Sequence, residues 1–406
     1  MTTKLVSKTL EAIPGIALKA KEDPKCKFTS LAHLLTEDFL KECFRELKKR
    51  KSPGIDGVTV GKYANKLDEN ITDLVSRLKS KQYKPQPVLR VYIPKSNGDK
   101  RPLGIPAVED KIVQMAIKKI LEAIFEQDFI DTSYGFRPNR SCHDALRKLD
   151  MVIMNAPVNY VVDMDISKFF DTVNHKCLME FLEHRIVDPS LLQLISRFLK
   201  SGIMEEGVYC ETDQGTPQGG VLSPVLANVY LHYTLDSWFE TEVTPQLTGY
   251  AQLLRYADDF VVCFEKEEEA RAFEVALKQR MGKFTHFCDK TRKGKFKLGR
   301  KTSRKKFTQK MKDMNICFKH IRNRVELKEW WKMLGLKLLG HYRYYGMSGN
   351  IRMLQNFYDQ TVKLAHKWIN RRSQRKSYNW DQFSRFIQFN PLPKPKIYQS
   401  LYNLKP

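Results

Sequence analysis

The chain contains 406 residues, 42% of them hydrophobic, and carries a formal net charge of +24 at pH 7. A chain of this length accommodates two or three domains with buried cores. Its 70 Lys and Arg residues outnumber its 46 Asp and Glu residues. Because such an excess repels itself unless it is neutralised, it indicates a polyanionic partner, and a merely soluble basic protein is the alternative.

Eight cysteines are scattered along the chain without a CxxC pair, so the sequence predicts neither a zinc site nor a disulfide framework. No apolar run approaches the length of a membrane span. The weak apolar segment near the N-terminus is interrupted by Glu11 and Pro14, which is unlike a signal peptide. We therefore expect a protein of the reducing cytoplasm with no membrane partner.

The N-terminal region combines an irregular start with a helix and a loop. Residues 1–24 are polar and are predicted to be irregular. Leucine and phenylalanine at helical spacing predict a helix between Leu31 and Leu47. Residues 52–58 (Ser-Pro-Gly-Ile-Asp-Gly-Val) are rich in turn formers and are predicted to form a loop.

Two short runs with a Ser-Asn-Gly-Asp turn between them predict a β-hairpin over residues 88–95 and 100–106. Its cations Lys95 and Arg101 face a common direction, although exposed basic side chains on hairpins are usually only solvated. Residues 112–125 then have the spacing of a strong amphipathic helix.

An acidic strand is predicted over residues 158–166. Apolar residues including Val162 and Met164 share one face, and Asp163 and Asp165 share the other.

A second acidic element lies at residues 253–264, where two apolar runs flank Asp258 and Asp259 at a spacing that suits a tight hairpin. Two unit charges about 4 Å apart repel by roughly 4 kcal/mol at an effective dielectric near 20, so a cation is expected to share the site. A solvated Asp-Asp turn is the alternative.

If the two acidic elements are neighbours in one sheet, Asp165 and Asp258 can hold a pair of Mg²⁺ ions. This arrangement activates an attacking oxygen and stabilises a leaving one, which is the chemistry of nucleotidyl transfer. Asp163 is the alternative to Asp165 because it lies on the same strand face.

Three boxes, which begin at Asp165 (Asp-Ile-Ser-Lys-Phe-Phe-Asp), Gln214 (Gln-Gly-Thr-Pro-Gln-Gly-Gly-Val-Leu-Ser-Pro) and Tyr256 (Tyr-Ala-Asp-Asp), resemble those of reverse transcriptases encoded by bacterial group II introns. The resemblance runs over nearly the whole chain. Ser223-Pro224 favours this lineage over diversity-generating retroelement enzymes, and we find no Asn-Ala-x-x-His element of the retron type.

The resemblance implies an α+β right-hand polymerase with fingers, palm and helical thumb. It implies an RNA-directed DNA polymerase that uses dNTPs and Mg²⁺ to extend a primer 3′-hydroxyl on an RNA template, with a maturase role in splicing. The implied partners are intron or similar RNA and a DNA primer or target. The implied catalytic and metal-binding residues are Asp165, Asp258 and Asp259, with Ile166 added to the metal set.

The resemblance also assigns residues to substrates. Those for the incoming nucleotide are Lys95, Arg101, Phe170 and Gln218. Of these, Phe170 would exclude a 2′-hydroxyl, although a core aromatic is an equally good interpretation of this ring. The basic, aromatic loop over residues 134–141 is expected to contact the template through Arg137 and Arg140.

The chain departs from the family after the predicted helix over residues 267–284. The expected Leu-x-x-x-Lys-Thr strand and Phe-Leu-Gly-Phe primer-gripping turn are missing after Phe284, so the sequence predicts that a palm segment of roughly two strands is absent. A linker-like basic stretch over residues 289–310 follows.

Three amphipathic helices are predicted from Leu327 onward. Four of the cations off their apolar stripes are predicted to bind nucleic acid: Lys363, Lys367, Arg371 and Arg372. No Cys-rich endonuclease domain is expected.

The predicted domains are an N-terminal extension with fingers (1–85), a fingers and palm domain (86–284), a basic connection with a shortened palm (285–325) and a thumb (326–406). The alternative function is an RNA-binding splicing cofactor or decayed remnant with weak or no polymerase activity. The oligomeric state is left open.

Overall fold

The computed structural model describes residues 8–48, 52–94, 100–166, 169–212, 214–216, 219–284, 304–346, 350–372 and 378–398. For residues 8–11, Asp165 and residues 304–306 the description covers the backbone. The chain divides into two compact units, Met1–Phe296 and Lys297–Pro406. In these ranges, every helix is too short or too polar to cross a bilayer.

The first unit contains helices and two small sheets. Its helices are α1 (Lys8–Glu22), α2 (Glu37–Glu46), α3 (Val60–Ala64), α4 (Leu67–Lys79), α5 (Val108–Phe125), α6 (Cys142–Asn155), α7 (Phe169–Thr172), α8 (His175–Glu183), α9 (Pro189–Leu199), α10 (Ser223–Leu231) and α11 (Glu267–Gly282). Its strands are β1 (Val88–Pro94), β2 (Lys100–Ile105), β3 (Tyr160–Asp165), β4 (Ile203–Glu205), β5 (Val208–Cys210), β6 (Ala251–Tyr256) and β7 (Asp259–Phe264).

The N-terminal region corrects the prediction of an irregular start, since α1 is a regular helix. It is tied to the core by the buried guanidinium of Arg185, which donates to the carbonyl of Ala20 at 2.9 Å and also to that of Pro24. The predicted helix between Leu31 and Leu47 is interrupted, because Thr36 accepts a hydrogen bond from Phe39 N and so begins α2 there. A local cap therefore overrides the apolar spacing.

Helix α5 forms the centre of the core. Ile112, Ile117, Leu121 and Ile124 are completely buried. The predicted helix over residues 112–125 is confirmed, but α5 is buried around most of its circumference rather than along one stripe.

The predicted hairpin over residues 88–106 is confirmed as β1 and β2, which pair antiparallel with Ile93 opposite Arg101. The strands of this sheet lie side by side in the order β2-β1-β4-β5. Strands β4 and β5 were not predicted. Lys95 and the hairpin turn lie outside the described residues.

The second sheet has the order β3-β7-β6 with both pairs antiparallel. It brings the two predicted acidic elements side by side, as expected. Val162, Met164 and Ile166 are buried on the core side, whereas Asp163 is exposed. Helix α11 follows β7, and the prediction for residues 267–284 is confirmed with Phe273 and Leu277 inward.

The second unit consists of α12 (Arg304–Ile321), α13 (Leu327–Tyr345), α14 (Ile351–Ile369) and α15 (Trp380–Phe389). The three predicted helices are confirmed, and their core includes Trp330 and Phe383. Helix α12 was not predicted and lies where the connection over residues 285–325 was expected. Its buried Phe318 packs edge-on against Trp330, which makes this basic helix part of the same core.

Candidate functional site

The acidic hairpin places its carboxylates at one end of the β3-β7-β6 sheet. Tyr256 pairs with Asp259, so the turn consists of Ala257 and Asp258. In the neighbouring ladder, Asp165 lies directly opposite Asp259. Opposed residues of an antiparallel pair lie on the same sheet face with Cβ atoms about 4.5–5.5 Å apart. Three aspartates therefore belong to the same end of the sheet.

This end of the sheet suits a hard divalent cation. Like charges directly opposite each other destabilise a ladder unless something neutralises them. Aspartates from two strands and a turn supply only oxygen donors, the set that Mg²⁺ prefers. The side chain of Asp165 is not described, and among the described side chains there is no group of three or more potential metal ligands. Asp163 is two residues before Asp165 and faces Val261.

The loop over residues 132–137 packs directly against the acidic turn. Arg255 N donates to Thr132 O at 2.9 Å, and Tyr134 N donates to Arg255 O at 2.9 Å. A Cβ on Gly135 would approach Ala257 N to 2.2 Å. Only glycine therefore allows this loop to lie so close to the turn.

The two arginines of this loop differ in accessibility. The side chain of Arg137 is 3% exposed and binds Glu126 Oε2 at 2.9 Å. Its guanidinium also donates to the carbonyls of Ile130 and Ser133 at 2.7 and 2.9 Å. Protein acceptors therefore surround the Arg137 guanidinium, and a contact of Arg137 with nucleic acid stays a prediction.

Arg140 is the more accessible of the pair. Its side chain is 25% exposed and binds the fully exposed Asp131 at 3.0 Å. The guanidinium also lies 5.5 Å from the centre of the Tyr134 ring. A contact of Arg140 with nucleic acid stays a prediction.

The glycine-rich box connects the acidic sheet to the hairpin β1-β2. Gly215 has a φ of +86° and donates to Val173 O at 2.8 Å, while Thr216 N donates to Phe170 O at 2.6 Å. Gly219 has a φ of +109°, and a Cβ there would lie 2.7 Å from Gly104 O. The glycines thus allow the backbone of this box to approach the backbone of other segments closely. Gln218 lies outside the described residues.

The ring of Phe170 is half-buried between two aromatic neighbours. Its centre lies 5.6 Å from that of Phe169 and 6.2 Å from that of Phe136. Phe169 is fully buried, whereas Phe136 is 48% exposed. Phe170 therefore contributes to the core and also borders solvent, so both interpretations of this ring remain compatible with its position.

Contacts run continuously from the hairpin to the acidic turn. Gly219 meets Gly104 of β2, the same box binds the backbone of Phe170, and the Phe170 ring meets Phe136, next to Gly135. Arg101, in the same strand as Gly104, is exposed. Within the described residues, these contacts link the strand that carries Arg101 to Phe170 and to the acidic turn.

In the second unit, the four predicted cations differ in their surroundings. Lys363, Lys367 and Arg371 are exposed and follow one another at four-residue intervals along and just beyond α14. Arg371 and Lys367 lie 5.5 and 5.4 Å from the ring centre of Trp368. Arg372 instead donates to Val325 O at 3.1 Å and is partly buried.

A buried ion pair beneath the acidic turn was not predicted. Arg255 and Asp236 have completely buried side chains, and Arg255 Nη2 lies 2.5 Å from Asp236 Oδ2. The signal available in the sequence was an arginine within the apolar run of residues 253–256, since a cation in a buried strand needs a partner.

Comparison with known proteins places the chain in a family. The family model described as reverse transcriptase (RNA-dependent DNA polymerase) matches residues 93–340. The chain is 35% identical over 307 residues to protein YkfC of Escherichia coli K12, covering 66% of this chain and 81% of that protein. It is 40% identical over 226 residues to the group II intron-encoded protein LtrA of Lactococcus lactis subsp. cremoris, covering 55% of this chain and 37% of LtrA.

A further relative is the nuclear intron maturase 4, mitochondrial, of Arabidopsis thaliana, at 31% identity over 134 residues, 32% of this chain and 16% of that protein. The matched family model defines a polymerase of the reverse-transcriptase fold. The chain belongs to the reverse transcriptases of the group II intron type, which are RNA-directed DNA polymerases. Enzymes of this family use divalent metal ions.

Proposed function

We propose that the chain extends the 3′-hydroxyl of a primer on an RNA template. In this proposal Asp165 and Asp258 are the main metal ligands, Asp259 assists them, and Ile166, which follows Asp165, belongs to the metal set. The observation that supports this proposal is the register of the sheet, with Asp165 opposite Asp259 and Asp258 in the adjoining turn. Bound Mg²⁺ would lower the pKa of the attacking hydroxyl and neutralise charge on the leaving oxygens.

The surrounding residues have binding roles in this proposal. Arg101 on the exposed part of β2, together with Lys95, holds the triphosphate of the incoming dNTP, where a guanidinium fork suits phosphate oxygens. Phe170 packs under the sugar, and Gln218 contacts the duplex near the insertion point. Arg140 contacts the template backbone. Arg137 instead holds the loop that carries Gly135 against the turn.

We further propose a right-hand arrangement, with an N-terminal extension and fingers over residues 1–85 and fingers and palm over residues 86–284. The thumb would begin with α12 rather than at residue 326, because α12 shares the core of the second unit. Exposed cations of that unit would bind intron RNA or the primer–template duplex, in keeping with the +24 net charge. A cytoplasmic location fits these partners.

Primer extension by the purified protein on an RNA template with Mg²⁺ tests the proposal. Asp258→Asn should abolish extension while RNA affinity stays the same or rises slightly, because one repulsive charge is removed. Full extension by Asp258→Asn would contradict the assignment.

Asp163→Asn and Asp165→Asn form a matched pair on β3. Loss of extension in Asp165→Asn alone supports the proposed ligand, since position 165 is the one opposite Asp259. Loss in Asp163→Asn alone would move the ligand two residues along the strand.

A further inference from the structure

The buried arginine of β6 binds its acidic partner through two parallel hydrogen bonds. Arg255 Nε donates to Asp236 Oδ1 at 2.8 Å, and Nη2 donates to Asp236 Oδ2 at 2.5 Å. This bidentate geometry fixes the plane of the guanidinium. The remaining nitrogen, Nη1, is thereby aimed in a defined direction.

Arg255 Nη1 points toward the acidic turn. Arg255 Nη1 donates to the carbonyl of Ala257 at 3.1 Å and to Asn228 Oδ1 at 3.0 Å. The Ala257 carbonyl belongs to the peptide that joins Ala257 to Asp258. Asn228 Nδ2 in turn donates to Gly135 O at 2.9 Å, so one amide bonds both the arginine and the loop that packs on the turn.

The turn is in a conformation that needs such support. Ala257 has a φ of +58°, a region that L-residues other than glycine adopt only at a cost in energy. Ala257 itself is buried, and Gly135 packs against its backbone. The hydrogen bond from Arg255 to its carbonyl therefore acts where the backbone would otherwise relax.

Asp236 reaches the arginine because of a local change in helix geometry. It is the last residue of a π-helical segment, His232–Asp236, which continues directly from α10 (Ser223–Leu231). Wider turns of this kind are frequent at functional sites, because they shift the residues that follow relative to a regular α-helix. Asn228 lies on α10 itself, so one continuous segment supplies both partners.

We propose that Asp236, Arg255 and Asn228 form a positioning network that holds the Ala257–Asp258 peptide and so sets the position of the Asp258 carboxylate. The network does not touch substrate. The inference rests on the proposed function, in which Asp258 is a catalytic residue. A purely structural ion pair in the core is the competing explanation.

A volume-matched apolar replacement separates the two explanations. Well-packed hydrophobic residues often replace a buried ion pair without loss of stability. The double variant Arg255→Met with Asp236→Leu therefore removes the hydrogen bonds to the turn without leaving an unpaired charge. The matched control is Arg185→Met with Asp128→Leu, a pair whose side chains are 3% and 14% exposed and whose arginine holds α1.

Each protein is compared for thermal midpoint, RNA affinity, kcat and KM for dNTP, and for Mn²⁺ affinity of the primer–template complex by electron paramagnetic resonance. In a folded Arg255/Asp236 double variant we expect kcat to fall by about tenfold to a hundredfold, since a misplacement of about 1 Å has effects of this size. Mn²⁺ should bind several-fold more weakly, with RNA affinity unchanged. The control should keep the wild-type kcat and Mn²⁺ affinity.

A folded double variant with wild-type kcat and Mn²⁺ affinity would overturn the inference. If this variant does not fold, Asn228→Ala decides, because it keeps the ion pair and removes only the bonds to Arg255 and Gly135. It should lower kcat and Mn²⁺ affinity, and wild-type values would overturn the inference. If the wild-type protein does not extend primers, the proposed function fails, while Mn²⁺ affinity and amide exchange of residues 256–260 still test the network.

Discussion

At the scale of single residues, the site depends on side chains whose neighbours decide what they can do. Arg137 and Arg140 are three residues apart in one basic loop and both bind protein acceptors, yet the side chain of Arg137 is 3% exposed and that of Arg140 is 25% exposed. Lys367 is exposed, whereas Arg372 is partly buried and donates to Val325 O. Residue type alone indicates an affinity for phosphate, and burial decides whether phosphate can reach the cation.

Phe170 allows a test of sugar selection at this scale. Phe170→Ala should admit ribonucleotides, because its half-buried ring is proposed to block a 2′-hydroxyl, and should lower the kcat/KM ratio of dNTP to rNTP. Phe169→Ala is the matched control, since that neighbour is fully buried. It should cost about 3–5 kcal/mol of stability without changing selectivity. If a folded Phe170→Ala protein discriminates between dNTP and rNTP as the wild type does, the Phe170 ring does not exclude the 2′-hydroxyl.

At the scale of elements, a buried carboxyl links α5 to the segment that leads into β1. Asp110 is 2% exposed, accepts a hydrogen bond from Gln86 N at 3.1 Å and is bound by the hydroxyl of Tyr83. Burial raises the pKa of Asp110 to about 7, against the opposing effect of these hydrogen bonds. The folded protein therefore retains a proton at Asp110 that the unfolded chain releases near pH 4.

The sign of the resulting pH dependence follows from this difference. Between about pH 4 and pH 7 the native state binds more protons than the unfolded state, so Asp110 contributes stability below pH 4 that is lost as the pH rises to 7. The loss is at most about 4 kcal/mol for a shift of about three pKa units. Asp110→Asn should flatten this part of the unfolding free energy profile, measured with urea at several pH values.

The exposed Asp68→Asn serves as the control, because the Asp68 side chain is 86% exposed. It should reproduce the wild-type pH profile. An Asp110→Asn protein with the wild-type slope would show that another group titrates over this interval.

At the scale of elements, one edge of the acidic sheet is formed by β6. Within the described ranges, β6 pairs with β7 on one side, and backbone bonds to residues 132–134 cover its other side at Arg255. Residues 285–303, where the family has a further palm segment, lie outside the described part. The edge is thus covered next to the turn, which the sequence did not indicate.

Insertion after Phe284 tests the apparent gap. The unmodified protein should make short products, because a missing primer grip leaves the 3′-hydroxyl less accurately held. A relative's Lys-Thr and Phe-Leu-Gly-Phe segment inserted after Phe284 should lengthen the cDNA, whereas a Gly/Ser insert of equal length should not. Full-length cDNA from the unmodified protein would mean that residues 285–298 supply the missing strand.

At the scale of the whole molecule, the net charge of +24 predicts RNA binding that weakens steeply as salt concentration rises. The second unit offers an exposed row of cations in Lys363, Lys367 and Arg371. Its position along α14 suits contact with successive phosphates of a backbone. The charge of the chain and the geometry of this unit therefore indicate the same kind of partner.

Replacing these three cations with Gln should reduce the log–log salt slope of RNA affinity by about 2–3, since each phosphate contributes roughly 0.7–0.9. Filter binding at salt concentrations between about 50 mM and 200 mM would measure this slope, because RNA affinity changes strongly over that range. Arg372→Gln alone should leave the slope unchanged, because that guanidinium donates to Val325 O. If the triple variant keeps the wild-type slope, the contact lies elsewhere.

The sequence by itself determined the two acidic strands, the β1-β2 hairpin, α5, α11 and the last three helices, because each has a local apolar period and local turn residues. It also indicated the family through three short boxes. Only the tertiary structure decided the register of Asp165 opposite Asp259, the burial of Arg137 and the pairing of Arg255 with Asp236. These features depend on how separate segments pack against one another, and no local period encodes which partner a buried charge will find.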